Sequence, residues 1–474
     1  MLKNIIFCLC FLLSVLLVAS DAVLLFTTDI HGNITSEEGG LLKLASAVKE
    51  QESKEGKEKI LLIDCGDTLQ GSYESAQTRG SIIIEIMNLI GYDFWIPGNH
   101  DFDYGFDLFQ QRASEFKGTV LASNIETVHT GSKPYQSYAI VKINNLKIAL
   151  IGATFPFINN SEIITPYAAF RTLPLSPSLD KIMTKVLKTD PDVIVLAVHG
   201  GLYNKKWMMS KELKRFPQID IILGGHTHED IDGKRLFNNA YFFQAGYKGE
   251  YLGRIDITKN TKSGKIEIKS KLISVKEYPN DKNLESKISP QLDAINREGE
   301  EKVAYINSKE AIEGGFLIAE SMKVNTQSDV AIFGLSQRTD KVAGNIDLRD
   351  VYDFISHEDY VSNMYITKDE LKIILEDLFK RKKGKYKKVY WDGFKFQVSK
   401  KGKILGLTFP EELQSKHRIK LAIPSYYIEY PTIKFPDIRH IAEQKDSKYS
   451  NSKKTVREGF IEFIIQKFQA KKQP

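Results

Sequence analysis

Cysteine is almost missing from this chain: three in 474 residues, at Cys8, Cys10 and Cys65. A single thiol beyond residue 10 excludes an internal disulfide in the rest of the chain, and it excludes a thiolate metal cluster, because one sulfur cannot make a zinc site. Outside a reducing compartment, stability would rest on core packing alone. Cys65 itself reads as a small buried residue and not as a nucleophile. A large excess of one charge is also lacking. Sixty-six Lys plus Arg against 60 Asp plus Glu leave +6. That is too little for a protein that coats nucleic acid, so no stable nucleic-acid partner is expected. Internal repeats and low-complexity tracts are absent. Hydrophobic residues at 42% and charged residues at 27% exclude disorder as the main state.

Long apolar runs are scarce too, with one exception at the amino terminus. Lys3 supplies a positive start, Ile5 to Ala19 is apolar apart from Ser14, and Val18-Ala19-Ser20 precedes Asp21. This reads as a secretory signal over residues 1–20, cleaved near Ser20. A retained anchor is the competing reading, but the run is short against the ~20 residues of a spanning helix. No transmembrane span is expected after cleavage, and the expected location is secreted: periplasmic, extracellular or at the cell surface.

The length predicts two or three domains at roughly 100–200 residues each. From 21 to 275 short aliphatic runs recur: Val23 to Phe26, Ile60 to Ile63, Phe94 to Ile96, Val193 to Val198 and Ile219 to Leu223. Continuous runs of this kind suit strands covered on both faces. Helix-like stretches such as Leu41 to Glu50 and Leu179 to Leu187 lie between them, which predicts a layered α/β domain. Residues 276–302 are charged and turn-rich, with Ser289-Pro290 opening a short helix, and read as a linker. A second α/β unit is expected over 303–474. In it Thr367 and Glu370 form a capping box before the apolar stripe Leu371, Ile374, Leu375 and Leu378.

The residues that end the first-domain strands share a chemistry. They are Asp29 and His31, Asp67, Asn99 and His100, His199, then His226 and His228, each beside glycine. Five of the nine histidines fall in these loops. Open α/β sheets build their sites at the carboxyl ends of strands. Carboxylate, imidazole and amide without sulfur suit borderline divalent ions such as Mn, Zn, Fe or Co. Asp29 and His31 are two apart, so in extended backbone both side chains leave the same face, and His226 and His228 repeat the spacing.

The segments TTDIHG, IDCGDTLQG, PGNHDFDYG, AVHGG and GGHTHED resemble, in order, the five signature loops of calcineurin-like metallophosphoesterases. They are most similar to the secreted branch of 5′-nucleotidases and 2′,3′-cyclic-nucleotide phosphodiesterases. The resemblance is strong over residues 23 to 230 and weaker beyond. It implies an α/β/β/α catalytic domain plus a smaller α/β substrate-binding domain, and two divalent ions of unknown identity. Asp29, His31, Asp67 and His228 would hold one ion. Asp67, Asn99, His199 and His226 would hold the other, with Asp67 bridging. His100 would sit at the scissile phosphate, oriented by Asp103. The implied substrate is an extracellular nucleotide, attacked by a water whose pKa the ions lower to about 7.

The second domain of that branch supplies an arginine and stacking aromatics. Here Phe333-Gly334-Leu335-Ser336-Gln337-Arg338 resembles the arginine motif, with Arg338 kept. Two family asparagines are replaced, by Phe333 and Phe316. His357, Tyr360 and Tyr426 are the candidate base-stacking residues, and the expected Gly-rich loop is replaced by Glu429-Tyr430-Pro431-Thr432. These departures motivate an alternative, a surface binding or adhesion protein on the same scaffold. Hydrolysis of sulfur compounds is a third reading, by fold analogy. The basic stretch Lys380 to Lys388 reads as a solvated surface. A metal site in one domain and Arg338 in the other imply hinge closure near 276–302.

Overall fold

The computed structural model of this protein describes residues 20–154, 169–202, 213–236, 240–307, 311–334, 341–355, 358–380, 389–399, 401–429 and 435–468. The apolar leader lies outside them up to residue 19, as do Arg338, His357 and the basic residues 381–388. Among the described residues, no helix is long and apolar enough to cross a membrane.

Two six-stranded mixed sheets stack on one another. The first runs, in spatial order, Ile266–Ser274, Tyr251–Lys259, Ala22–Thr27, Ile60–Asp64, Phe94–Trp95, Thr119–Val120. The last four are parallel. The second runs Asp230–Arg235, Tyr241–Ala245, Ile221–Leu223, Val193–His199, Leu146–Thr154, Tyr138–Ile143. Its four inner strands are parallel. Side chains alternate between two apolar layers, which is why the runs are continuous. Leu24, Phe26, Leu61 and Ile63 enter the space between the sheets with Val193, Val195 and Ala197. Val23, Leu25 and Leu62 face the helices Leu41–Glu55, Ser81–Ile90 and Phe106–Glu115. Ile194, Leu196 and Val198 face the helix Leu175–Leu187. The order is α/β/β/α. Each fully buried aliphatic side chain contributes about 1.5–3 kcal/mol, so these layers offset the lack of disulfides.

Residues 303 to 464 build a separate core around a five-stranded sheet. Its order is Tyr390–Asp392, Val330–Phe333, Ile419–Pro424, Tyr360–Ile366, Ser450–Thr455. The capping box forms as read: Thr367 N–H donates to Glu370 Oε2 at 2.7 Å, and Glu370 N–H donates to Thr367 Oγ1 at 3.1 Å. Phe333 is buried in its strand, and Phe316 packs edge-on to Tyr390 and Trp391.

The helix within 276–302 differs from expectation. It spans Lys282–Gly299, capped by Asp281, whose carboxylate accepts from Leu284 N–H at 2.8 Å. Pro290 therefore sits inside the helix and not at its start. Leu284, Ile288 and Ile295 bury into the first unit's outer core, which gives the helix a reason to extend beyond its local signals.

Candidate metal centre

Every parallel strand that leads to a candidate ligand points its carboxyl end to one place. There the side chains form two groups, each with ligand atoms within 4.8 Å of one another: Asp29, His31 and His228, and Asp67, His199 and His226. Asp67 stands between them, its Oδ2 3.1 Å from His199 Nε2 and 4.0 Å from His31 Nε2. Asn99 joins the second group, its Oδ1 2.8 Å from His226 Nδ1. All seven side chains named from the sequence converge.

They converge by a different backbone route from the extended one. Asp29, His31, Asp67, His226 and His228 all have positive φ, between 51° and 74°. The strands have ended, and left-handed residues bend the chain back across their tips. Such residues cost of order 1–3 kcal/mol each and persist where the surroundings hold them. Here the loops are laced together. Asp29 N–H donates to Gly66 O at 2.8 Å, His31 N–H to Asp67 O at 2.9 Å, and Gly32 N–H to Thr68 O at 2.8 Å. The packing leaves no room for side chains at the crossing: a Cβ on Gly98 would lie 2.3 Å from Asp67 N and Oδ1.

Three residues with no assigned role in the sequence reading support this arrangement. Asp101, buried, accepts from four backbone N–H groups, of Gly98, Asp67, Thr68 and Leu69, at 2.7 to 3.0 Å. It clamps the Asp67 loop to the Asn99–His100 loop. An acidic residue inside the glycine-flanked PGNHDFDYG segment was the available signal. Thr28 donates to Asp29 Oδ2 at 2.6 Å. Tyr247 stacks on His228 from the loop after Tyr241–Ala245.

The electrostatics suit a cation. Burial pushes Asp29 up to about 7, partly offset by His199. Burial holds His31 down near 3, so its imidazole is neutral. Its Nδ1 lies 3.1 Å from Gln70 O, which can only accept, so that nitrogen carries the proton. His31 Nε2 is then an acceptor, 3.2 Å from His228 Nε2. In His199, burial opposes charge but Asp67 and Asp29 outweigh it and raise the imidazole to about 10. Its Nδ1 is 2.7 Å from Cys65 O, while Nε2 is buried beside Asp67 without an aligned hydrogen-bond partner. Acceptor atoms buried against one another at these distances fit divalent ions, whose charge would take over what a borrowed proton does here.

His100 and Asp103 form the pair read from the sequence, His100 Nδ1 to Asp103 Oδ2 at 2.8 Å. Burial lowers the His100 pKa, but Asp103 and Asp67 raise it to about 9. His100 N–H donates to Asp67 Oδ1 at 2.7 Å, tying it to the metal groups. Tyr360 lines a polar cavity of about 220 Å³ with Asp103, at the seam between the two units. Tyr426 instead packs against Tyr427 and Phe435, 5.8 and 6.1 Å between centroids. Arg338 and His357 fall outside the described residues.

Residues 22–230 match the calcineurin-like phosphoesterase family, and this segment, which carries all seven candidate ligands, is a domain of that family. Calcineurin-like phosphoesterases bind a dinuclear metal centre, and the two side-chain groups are candidates for it. The chain is 25% identical over 291 residues to a 2′,3′-cyclic-nucleotide 2′-phosphodiesterase/3′-nucleotidase of Yersinia enterocolitica, covering 52% of this chain and 44% of that protein. It is 29% identical over 267 residues to Protein UshA of Escherichia coli K12, covering 49% and 48%. The chain thus spans about half the length of the curated relatives it matches. A putative 5′-nucleotidase of Staphylococcus aureus has the same two-unit fold, with TM-score 0.78 at 16% identity over 96% of this chain and 98% of that one. None of these relatives favours adhesion.

Proposed function

We propose that this protein hydrolyses phosphoester bonds of nucleotides with a pair of divalent ions, releasing nucleoside and phosphate outside the cytoplasm after its leader is removed. The observation that carries the reading is the convergence of seven ligand side chains next to the His100–Asp103 pair. Asp29, His31 and His228 would hold one ion and Asn99, His199 and His226 the other, with Asp67 standing between the two groups. Ions bound there supply an activated water and neutralise phosphoryl charge. The chain's residues do the rest. Asp103 fixes His100 through Nδ1 and keeps it protonated. His100 can then hydrogen-bond a phosphoryl oxygen and give a proton to the leaving alkoxide, an effect worth about 10²–10⁴-fold. Asp101 holds the two loops that carry Asp67, Asn99 and His100 in register. Arg338 and Tyr360 of the second unit contribute to binding of the phosphate and the nucleoside.

The test combines chelation and one variant. Hydrolysis of AMP, 3′-AMP, 2′,3′-cyclic AMP and UDP-glucose should vanish in chelator and return with Mn²⁺. His100→Ala should cut turnover by about 10²–10⁴-fold with two ions per chain retained. Activity indifferent to chelation, or an unchanged rate in the variant, defeats the proposal. The panel also separates 5′-monophosphate from cyclic and sugar-nucleotide substrates.

A further inference from the structure

The imidazole of His228 meets two rings. It meets His31 edge-on, with centroids 5.1 Å apart at 73°, and it lies face to face with Tyr247, 5.1 Å apart at 8°. Tyr247 belongs to a loop of unusual backbone. Gly246, Lys248 and Gly249 have φ of 65°, 53° and 67°, so the chain doubles back within four residues. Lys248 takes this conformation without being glycine, at a cost the surroundings must offset. The anchors are visible. Gly246 N–H donates to Glu229 O at 3.1 Å, beside His228 in sequence. Lys248 N–H donates to Asp29 O at 2.7 Å, and Lys248 O accepts from Asn33 Nδ2 at 2.7 Å. The loop is thus pinned to Asp29 and next to His228, two members of one metal group, with Tyr247 between the pins. These hydrogen bonds run to Asp29, Asn33 and Glu229, on the side of the Asp29 group.

We propose that Tyr247 is a positioning residue for one ion of the pair: its ring holds the His228 imidazole in the orientation that ligates the ion of the Asp29 group. The inference rests on the two-metal reading above. The physical ground is that an imidazole ligates only along one direction in its plane, so a ligand free to tilt spends time out of line. Parallel stacking of aromatic rings resists that tilt. Partners that orient metal ligands from behind typically change affinity about 10–100-fold when removed. A ring face restrains tilt less tightly than a hydrogen bond, so the lower end of that range applies, and the effect should fall on one ion only. Tyr247→Phe keeps the ring and should keep the effect.

The experiment titrates Mn²⁺ into the metal-stripped full chain by calorimetry and counts ions by mass spectrometry at fixed free Mn²⁺. Wild type should bind two ions. Tyr247→Ala should bind one as in wild type and the other about 10-fold more weakly, with an unchanged thermal midpoint of the metal-free protein. Tyr247→Phe should match wild type. Two ions held by Tyr247→Ala with wild-type affinity overturn the inference alone. So does equal weakening of both sites, or a lowered metal-free midpoint, since the ring would then support the fold and not the ligand. A wild-type chain that binds no ion overturns the two-metal reading itself.

Discussion

Asp359 is a carboxyl of the second unit that lies within electrostatic reach of His100 and Asp103. Burial pushes it up to about 7, reinforced by Asp103 and Glu429 and opposed by His100. The sign of the consequence follows from linkage. Between about pH 4 and pH 7 the folded protein keeps a proton there that the unfolded chain has released, so Asp359 favours folding at low pH and that contribution is lost as pH rises through about 7. Its backbone carbonyl accepts from Val456 N–H at 2.7 Å whatever the side chain is, so Asp359→Asn is a clean test. Urea midpoints measured at pH 5 and pH 8 should differ less in Asp359→Asn than in wild type. An unchanged difference would show that the carboxyl is hydrated in solution. At this scale the convergence of the candidate ligands was legible in the sequence because metal chemistry restricts residue type: Asp, His and Asn beside glycine have few other reasons to gather. Asp359, Asp101 and Tyr247 were not, since their roles come from neighbours brought in from distant segments.

The helix Lys282–Gly299 shows where element boundaries escape local signals. Proline lacks an N–H and crowds the preceding turn, so Ser289-Pro290 reads as a first turn. The helix nevertheless begins at Lys282, held by the Asp281 cap and by Leu284, Ile288 and Ile295 on the core. Ser289 Oγ donates to Glu285 O at 2.6 Å, which serves a carbonyl near the interruption. Tertiary packing outweighs a proline that costs up to about 3 kcal/mol relative to alanine in a helix interior. Pro290→Ala should therefore stabilise the protein by about 1–3 kcal/mol, read as a raised urea midpoint at unchanged slope. A destabilised variant would mean that the proline ring itself contributes to the helix's fit on the core. By contrast, the parallel strands and the Thr367 capping box were readable, because burial on both faces and capping leave short, local patterns. The backbone of the ligand loops was not: spacing suggested extended chain, and left-handed residues at Asp29, His31, Asp67, His226 and His228 do the bending.

At the scale of the molecule, the packing of that helix onto the first unit moves the expected hinge. Leu284 to Ile295 cannot bend freely while buried, so any rotation of the second unit would have to occur after Gly299. The two units also touch in a defined patch. Arg349 donates to Glu74 Oε1 at 2.6 Å and to Asn296 Oδ1 at 2.5 Å. Tyr352 meets Tyr73 edge-on, 4.9 Å between centroids. The patch lies on the short helix Tyr73–Gln77, which follows the Asp67 loop directly. Any closure of the second unit onto the candidate metal centre would pivot about this patch. The scarcity of cysteine makes the motion measurable. Cys65 is fully buried, so with Cys8 and Cys10 changed to serine, dye pairs can be placed at Ser114→Cys and Glu412→Cys, both exposed in separate units. Energy transfer between them should shift when Mn²⁺ and a non-hydrolysable AMP analogue are added together. Arg349→Ala should broaden the distribution without ligand, because the patch loses its ion pair. A transfer efficiency that stays fixed on adding metal and analogue would mean that substrate binds to an already closed cleft and that no hinge at 300–302 serves the reaction.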